Sequence, residues 1–439
     1  MISDKQKELA RWSMDQCLKF GCQAVRVNVY SGTNTDFDIR NSQLDKLQQS
    51  SENQLVFNIY VDGKFGSFST NRLEKEDVLR FMERAVESVR YLSADSCRQL
   101  PEPSRYYQGN MPDLELYDAN LSEISPDEKL RITHLAADEI AGKDPRILSV
   151  QASYSDGESF SYTLASNGFE GESAHSYYSL SVVVSVKGEG DVRPEAFWYD
   201  QALSWNDLQK TGIGLVALER ALKKLGQQKV ASGSYLMLVD NLNAGRLLGP
   251  VLSALNGGAL QQKNSFLMDR KGEKVLSEKV TIIDNPHVPH SFGARYFDNE
   301  GVATQKRYIF KQGILETYFI DTYYGHKMGL EPTISGISQL DFELGERNID
   351  EMISSIDRGI YVTGFNGGNC NSSSGDFSYG IEGFLIEGGR LTLPISEMNV
   401  TGNMLDLWNN VAEIGNDPRL NNAYHIPSLL FNKVDFSGL

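Results

Sequence analysis

Apolar residues recur at helical spacing over residues 3–20, where Leu9, Trp12, Met14 and Leu18 stand among polar neighbours and Gly21 supplies a stop. The pattern then turns to alternation. AVRVNVYSG (24–32), TDFDIRNSQ (35–43), QLVFNIYV (54–61) and KFGSFST (64–70) predict strands, the last two joined by a tight turn at Asp62-Gly63. Helical spacing returns in LEKEDVLRFMERAVESVRYL (73–92), so residues 1–92 predict an α+β domain of helix, sheet and helix. Residues 93–125 hold Pro101, Pro103 and Pro112 with little periodicity and predict a linker wrapped over the surface.

A second unit follows over residues 126–226. Ser125-Pro126 predicts a helix start, with serine as cap and proline in the first turn. ILSVQASYS, SFSYTLAS and YYSLSVVVSV read as a β-meander turned at Asp156-Gly157 and near Asn167-Gly168. Asn206 is the expected cap of a helix carrying Leu208, Leu215, Leu218, Leu222 and Leu225 on one face and ended by Gly226. From residue 227 to 439 the chain becomes rich in glycine and strand patterns. SYLMLVD is a short buried strand and NAGRLLGPVLSALNGG a helix. FDNEGVATQKRYIFKQGILETYFID predicts two strands about Lys311-Gln312-Gly313. GIYVTGFNGG, DFSYGIEGFLIEGG and RLTLPISEMNVTG predict three more, with a hairpin at Gly388-Gly389, and LDLWNNVAEIG a short helix or turn. The whole is α+β: an N-terminal helix–sheet–helix part, a middle β-meander with flanking helices and a mostly-β C-terminal domain.

Charge narrows the partners. The 42 Lys and Arg are outnumbered by 58 Asp and Glu, for a net charge of −16. There is no basic stripe, which argues against direct nucleic-acid binding and against an anionic membrane surface. No apolar run approaches the roughly 18 residues of a membrane span. The first residues lack the features of a secretory signal. The four cysteines (Cys17, Cys22, Cys97, Cys370) form neither a metal pattern nor a disulfide framework. A cytoplasmic protein with free thiols is the expectation.

Candidate chemistry is sparse. The glycine-rich stretch 364–389 lacks the Lys-Ser or Lys-Thr of a phosphate loop and leads into strand alternation rather than a helix. Its glycines most simply allow close backbone packing. Cys370 could be a nucleophile if a base such as His287, His290, His326 or His425 lay beside it; a loop thiol is the plainer reading. His287 and His290 could bind a metal, but Pro289 between them favours a solvated loop. Asp240 ends a buried strand, where functional groups often sit, yet Asp240 or Asn241 serves equally as a helix cap.

Longer matches are more telling. RLLGPVLSALNGG (246–258), NSFLMDRKGEKV (264–275), DNEGVATQ (298–305), GDFSYGIEGFLIEGG (375–389), PISEMNVTGN (394–403) and EIGNDPR (413–419) occur in the order and spacing of the TldD/TldE (PmbA) family, which the chain resembles over nearly its whole length. That family was first labelled as modulators of DNA gyrase and comprises zinc-dependent peptidases. The resemblance implies a two-subunit enzyme. Its TldD-type subunit carries HExxxH on a helix, with two zinc-binding histidines, a glutamate as general base and a cysteine from the C-terminal part; the TldE-type subunit shares the fold and pairs with it.

Carried onto this chain, the first histidine falls on Gly249, the glutamate on Pro250 and the second histidine on Ala254. NDPRLNNAYHIPSLLF supplies no cysteine, and Cys370 lies too far upstream. Pro250 either kinks a helix passing through it or stands in the first turn of one beginning near Gly249. The resemblance therefore implies a TldE/PmbA-type chain with no catalytic or metal residue of its own, zinc being held by a TldD-type partner, and with unfolded peptide as substrate. Asn256, Gly257, Gly258, Asp376, Ser378, Gly380 and Glu397 are candidate groove or structural positions. The alternatives are a peptide-binding or adaptor homodimer outside any cleavage reaction, and a hydrolase with an unrecognised site.

Overall fold

The computed structural model describes residues 1–439. Its first 226 residues build two units of like design. Helix α1 (Asp4–Lys19) is opened by a capping box between Ser3 and Gln6. It leads into β1 (Ala24–Arg40), β2 (Gln43–Val61), β3 (Lys64–Thr70) and α2 (Lys75–Arg90). The second unit repeats the order with α3 (Pro126–Asp138), β4 (Ile147–Ala165), β5 (Glu170–Val186), β6 (Glu195–Ala202) and α4 (Ile213–Lys223). The strands form one antiparallel sheet in the order β3-β2-β1-β4-β5-β6. All four helices cover one face. Val25, Val27 and Val29 of β1 pack under α1 and α2, and Phe37 and Ile39 of the same strand pack with α3 and α4.

The expected strands 24–32 and 35–43 merge into β1, which ends at Arg40 with a turn at Asn41-Ser42 before β2, and those at 147–155 and 159–166 merge into β4. Asp156-Gly157 is not a turn: it lies in mid-strand, Asp156 paired with Thr35 and Gly157 with Asn34. Both residues have other reasons to be there. A Cβ at position 157 would lie 2.2 Å from Asn34 Oδ1 and 2.8 Å from the Thr33 carbonyl, so only glycine lets the strands approach. The Asp156 carboxylate, 1% exposed, meets Lys129 Nζ of α3 at 2.5 Å and accepts a hydrogen bond from Tyr154. Two further expectations are corrected. Helix α4 starts at Ile213 after Gly212, not at an Asn206 cap, and its Leu215 faces solvent. The proline-rich segment after α2 is not wholly superficial: Leu114 and Leu116 are buried with Leu203 and Ala294, between the sheet and the C-terminal part.

Beyond residue 230, β7 (Gly233–Val239) leads to α5 (Gly245–Ala254) and α6 (Gly257–Gln261). A small sheet follows from β8 (Ile282–Asp284), β9 (Arg307–Lys311), β10 (Ile314–Leu315) and β11 (Leu340–Phe342), with α7 (Thr322–Met328) between the last two. After α8 (Ile349–Ser354) come the long strands β12 (Arg358–Cys370), β13 (Asp376–Glu387) and β14 (Arg390–Asn403), joined by tight turns. Then follow α9 (Met404–Asn409), β15 (Val411–Ile414), β16 (Tyr424–His425), which joins β11, and β17 (Leu429–Ser437).

Strands run β14-β13-β12-β7-β17, and β14 also pairs with β17, so these five close into a barrel. Met237, Ile360, Ile381, Met398 and Phe431, one from each strand, belong to a single core that also takes in α5 and the small sheet.

The Lys129–Asp156 pair sets a test. Removing one charge strands the other in the interior. Lys129→Met is expected to lower unfolding stability by about 3–5 kcal/mol, and adding Asp156→Asn to recover most of it. Urea unfolding of both variants checks this; a loss below about 1 kcal/mol in the single variant would refute it.

Candidate functional site

Helix α5 is the centre of the region picked out by sequence. It runs unbroken from Gly245 to Ala254 with Pro250 inside it, so the alternative of a helix starting near Gly249 is wrong. The helix tolerates the proline because its neighbours hold it. Leu247, Leu248, Val251, Ala254 and Leu255 are buried in the main core, and the indole N–H of Trp408 donates to the Leu247 carbonyl at 3.3 Å. Pro250 itself withholds the donor that the Arg246 carbonyl would otherwise receive.

The outward side of α5 is open. A Cβ built on Gly249 meets nothing within 4 Å. Gly249 and Pro250 are half-buried, Ser253 and Asn256 exposed, while Ala254 is 2% exposed in the core. Gly249 and Pro250 offer no side-chain donor and Ala254 only a methyl group, so this surface does not fit zinc. No group of three or more His, Cys, Asp or Glu side chains that could hold a metal ion is assembled anywhere in the chain.

Arg246, in the first turn of α5, does something the sequence did not disclose. Its guanidinium donates to the carbonyls of Gly367 and Gly368 in β12, at 3.3 and 3.1 Å, and lies 4.7 Å from the centre of the Tyr379 ring. β12 pairs with β7 only over Gly359–Val362, so Gly367 and Gly368 lie on a stretch beyond that pairing, and the arginine caps it. Gly368 has φ +75°, and a Cβ there would lie 2.0 Å from the Ser378 carbonyl. The glycines of this hairpin thus serve close backbone approach.

The remaining candidates fall in two places. The Asn256 side chain accepts from the Gly258 N–H at 2.9 Å and caps α6, and the Gly257 N–H donates to the Phe319 carbonyl at 2.8 Å. Asp376, Ser378 and Gly380 lie on β13. Asp376 accepts from Asn403 and Ser374, and these hydrogen bonds hold its carboxyl below the usual range. Glu397 is exposed on β14 with φ 52° and its nearest cation is Lys229, at 3.6 Å. No hydrogen bond joins the Asn256 group to the Asp376 group.

The histidines do not converge. His287 meets Thr304, His290 meets Asp207, and His326 meets the Cys97 carbonyl. His425 lies between Asp341 (2.8 Å) and the amide nitrogen of Gln339 (3.0 Å). The Gly293 N–H fixes that amide by donating to its oxygen, so His425 Nε2 accepts and Nδ1–H donates to Asp341. Burial opposes ionisation of Asp341, but hydrogen bonds from His425 and Asn285 hold its pKa below the ordinary value. Cys370 has no histidine partner, and burial together with Asp376 pushes its thiol up, away from a reactive thiolate. Asp240 caps the turn before α5 by accepting from the Asn243 N–H at 2.9 Å, while Asn241 donates to Asp417.

Three cavities form a trough from α5 to the helix-free face of the six-stranded sheet. The first, about 440 Å³, is lined by Leu252, Ser253, Asn256, Phe319, Ile337 and Tyr424. The second, about 480 Å³, shares Ile337 and Tyr424 with it. The third, about 620 Å³, shares His175 and Arg295 with the second and reaches Arg26 and Asn28 on the sheet. Arg295 braces the wall between them, donating to Ser338 Oγ and to the carbonyls of Gly336 and Ile337.

Comparisons with known proteins agree with this architecture. The first, central and C-terminal domains of the PmbA/TldA metallopeptidase family match residues 25–89, 119–225 and 232–438. The chain belongs to that family. Metalloprotease PmbA of Escherichia coli O157:H7 is 28% identical over 94% of this chain and 92% of its own length. A Bacteroides thetaiotaomicron protein described as a candidate modulator of DNA gyrase is 56% identical, with a TM-score of 0.99 over the whole of both chains. TldE of Thermococcus kodakarensis, 22% identical, shares the fold with a TM-score of 0.85 over 99% of this chain and all of its own.

The trough wall carries a pH dependence. Asp284, 1% exposed, accepts from the Ser338 N–H at 2.9 Å, and burial pushes its pKa up to about 6. A carboxyl raised in the folded state favours folding while protonated. Its contribution is complete below about pH 4 and is lost as pH rises through about 6. Asp284→Asn keeps the acceptor and removes the titration. Wild type is therefore expected to gain roughly 3 kcal/mol on the variant as pH falls from about 7 to 4. A pH-independent difference in denaturant unfolding would refute the assignment.

Proposed function

We propose that this chain is the non-catalytic, PmbA/TldE-type subunit of a zinc-dependent peptidase system that cleaves unfolded peptides, acting beside a TldD-type subunit that holds the zinc. The observation that carries the reading is the character of α5. Where the resemblance aligns the zinc-binding motif, this chain has Gly249, Pro250 and Ala254, without a metal-binding or proton-transferring group among them. In two relatives' organisms, Haemophilus influenzae and Buchnera aphidicola of the pea aphid, PmbA and TldD homologues are separate proteins, which supports a division of labour between two related chains.

The trough suits the role of peptide holder. Extended peptides are held by main-chain hydrogen bonds, with alternate side chains taken up in pockets along the groove. Here Leu252, Phe319, Ile337 and Tyr424 give apolar wall, and Asn256, Ser253 and Arg295 give hydrogen-bonding groups. Asn256, Gly257 and Gly258 then shape the α5 end of the trough. Asp376, Ser378, Gly380 and Glu397 belong to the β13–β14 hairpin and line none of its three cavities.

The test mixes purified components. The chain alone is expected to bind no stoichiometric zinc and to leave an unstructured peptide uncut. Adding a TldD-type protein is expected to produce cleavage that neither achieves alone. Stoichiometric zinc with cleavage by the pure chain would overturn the proposal.

A further inference from the structure

Helix α1 ends in a backbone motif that decides which of its side chains meet. Gly21 has φ +91°, the left-handed conformation that glycine adopts without steric cost. The Gly21 N–H donates to the Leu18 carbonyl at 3.0 Å, and the Cys22 N–H donates to the Cys17 carbonyl at 3.2 Å. These two nested bonds are the Schellman ending of a helix. The motif brings the side chains of its two outer residues together, and an apolar contact between them commonly completes it. Here both outer residues are cysteine.

The two thiols touch, sharing a side-chain hydrogen bond. Cys17 is 0% exposed and Cys22 7%, so Cys22 is the one a small solute reaches from solvent. A cation stands beside the turn. Arg90, at the end of α2, donates to the Phe20 carbonyl at 3.0 Å and to Asp62 at 2.6 Å, and a Cβ on Gly21 would lie 3.1 Å from its guanidinium. The hydrogen bond from Cys17 and the Arg90 charge outweigh burial and Asp62, and they hold the Cys22 thiol below its ordinary pKa. The same hydrogen bond, with burial, keeps Cys17 protonated. A stabilised thiolate next to a second thiol is the arrangement of a redox-sensitive pair. Cys370 differs, its thiol being pushed up by burial and Asp376.

We propose that Cys17 and Cys22 form an oxidation site at which a hydroperoxide converts the dithiol to an intramolecular disulfide. The Cys22 thiolate attacks the terminal oxygen of the peroxide. The S–O bond forms, the O–O bond breaks, and the departing alkoxide, or hydroxide from hydrogen peroxide, takes a proton from solvent. Cys17 then attacks the sulfur of the Cys22 sulfenic acid. The S–S bond forms, the S–O bond breaks, and hydroxide leaves with the Cys17 proton as water. The thiols together lose two electrons and the hydroperoxide gains them. The product staples the last turn of α1 to the residues leading into β1, across the turn that Arg90 also grips.

The inference does not depend on the proposed function, and its test uses the reduced full-length chain and hydrogen peroxide. Trypsin cuts after Lys19, so the disulfide joins two tryptic peptides, residues 12–19 and 20–26, which separate on reduction. Mass spectrometry after alkylation in denaturant is expected to find that joined pair with Cys97 and Cys370 still alkylated, so that four free thiols fall to two. The folded chain is expected to form it at least about fivefold faster than the urea-unfolded chain, because the native turn supplies the thiolate. Cys17→Ser removes the resolving thiol and is expected to leave Cys22 as a sulfenic acid that a cyclic dione traps. Cys22→Ser is expected to abolish both the joined pair and the trapping. Circular dichroism checks that both variants fold, and the wild-type measurement stands without them. Cys17 and Cys22 still free once Cys370 is oxidised, disulfides to Cys97 or Cys370 in their place, linkage no faster in the folded chain, or no trapping at Cys22 in folded Cys17→Ser would each overturn the proposal.

Discussion

Residues Arg26 to Arg40 of β1 run antiparallel to Gln151 to Ala165 of β4 without a break, and the rest of the molecule is arranged around that seam. The two strands come from different units and from distant parts of the chain, so their pairing must repay a long loop closure. It does so by making one sheet from two. With the seam formed, four helices have a common face to cover, and the opposite face is free to form the floor of the trough. The seam also explains two sequence oddities at once. Gly157 lets β1 and β4 approach at Thr33 and Asn34, and Asp156 reaches into the helical layer to Lys129. A steric need and an ionic need are met by adjacent residues in mid-strand.

The same two residues show why part of the fold was hidden from sequence reading. Asp-Gly is strong turn chemistry when considered locally. Here tertiary contacts claim both side-chain positions, and the local signal is overridden. The elements with unambiguous local physics were legible: α1 and α2 with their apolar stripes, the Asp62-Gly63 turn, and the alternation of β12, β13 and β14. Asn206 misled because a capping side chain is only one way to open a helix, and Gly212 with a left-handed backbone opens α4 instead. The layout of helix, strands and helix was legible in both units, but the joining of their strands into one sheet was not, since that lies in pairing between distant segments and not in local pattern.

The candidate site was legible only in its centre. Gly249, Pro250 and Ala254 lie within one six-residue stretch and could be judged for donor chemistry directly. The trough could not be foreseen, because His175, Arg295, Ile337 and Tyr424 come from four separate segments that only the fold brings together. Arg246 was equally silent. An exposed arginine at a helix start looks like ordinary solvated charge, and nothing near it in sequence announces the Gly367 and Gly368 carbonyls that it holds.

Closure of the five-stranded barrel has a consequence for biosynthesis. β7 lies between β12 and β17, and β17 also completes the ring against β14. A nascent chain emerging from the ribosome can therefore assemble the six-stranded sheet early, but its β7 and β14 keep raw edges until β17 has been made. During that interval the half-built barrel is the most aggregation-prone part of the molecule.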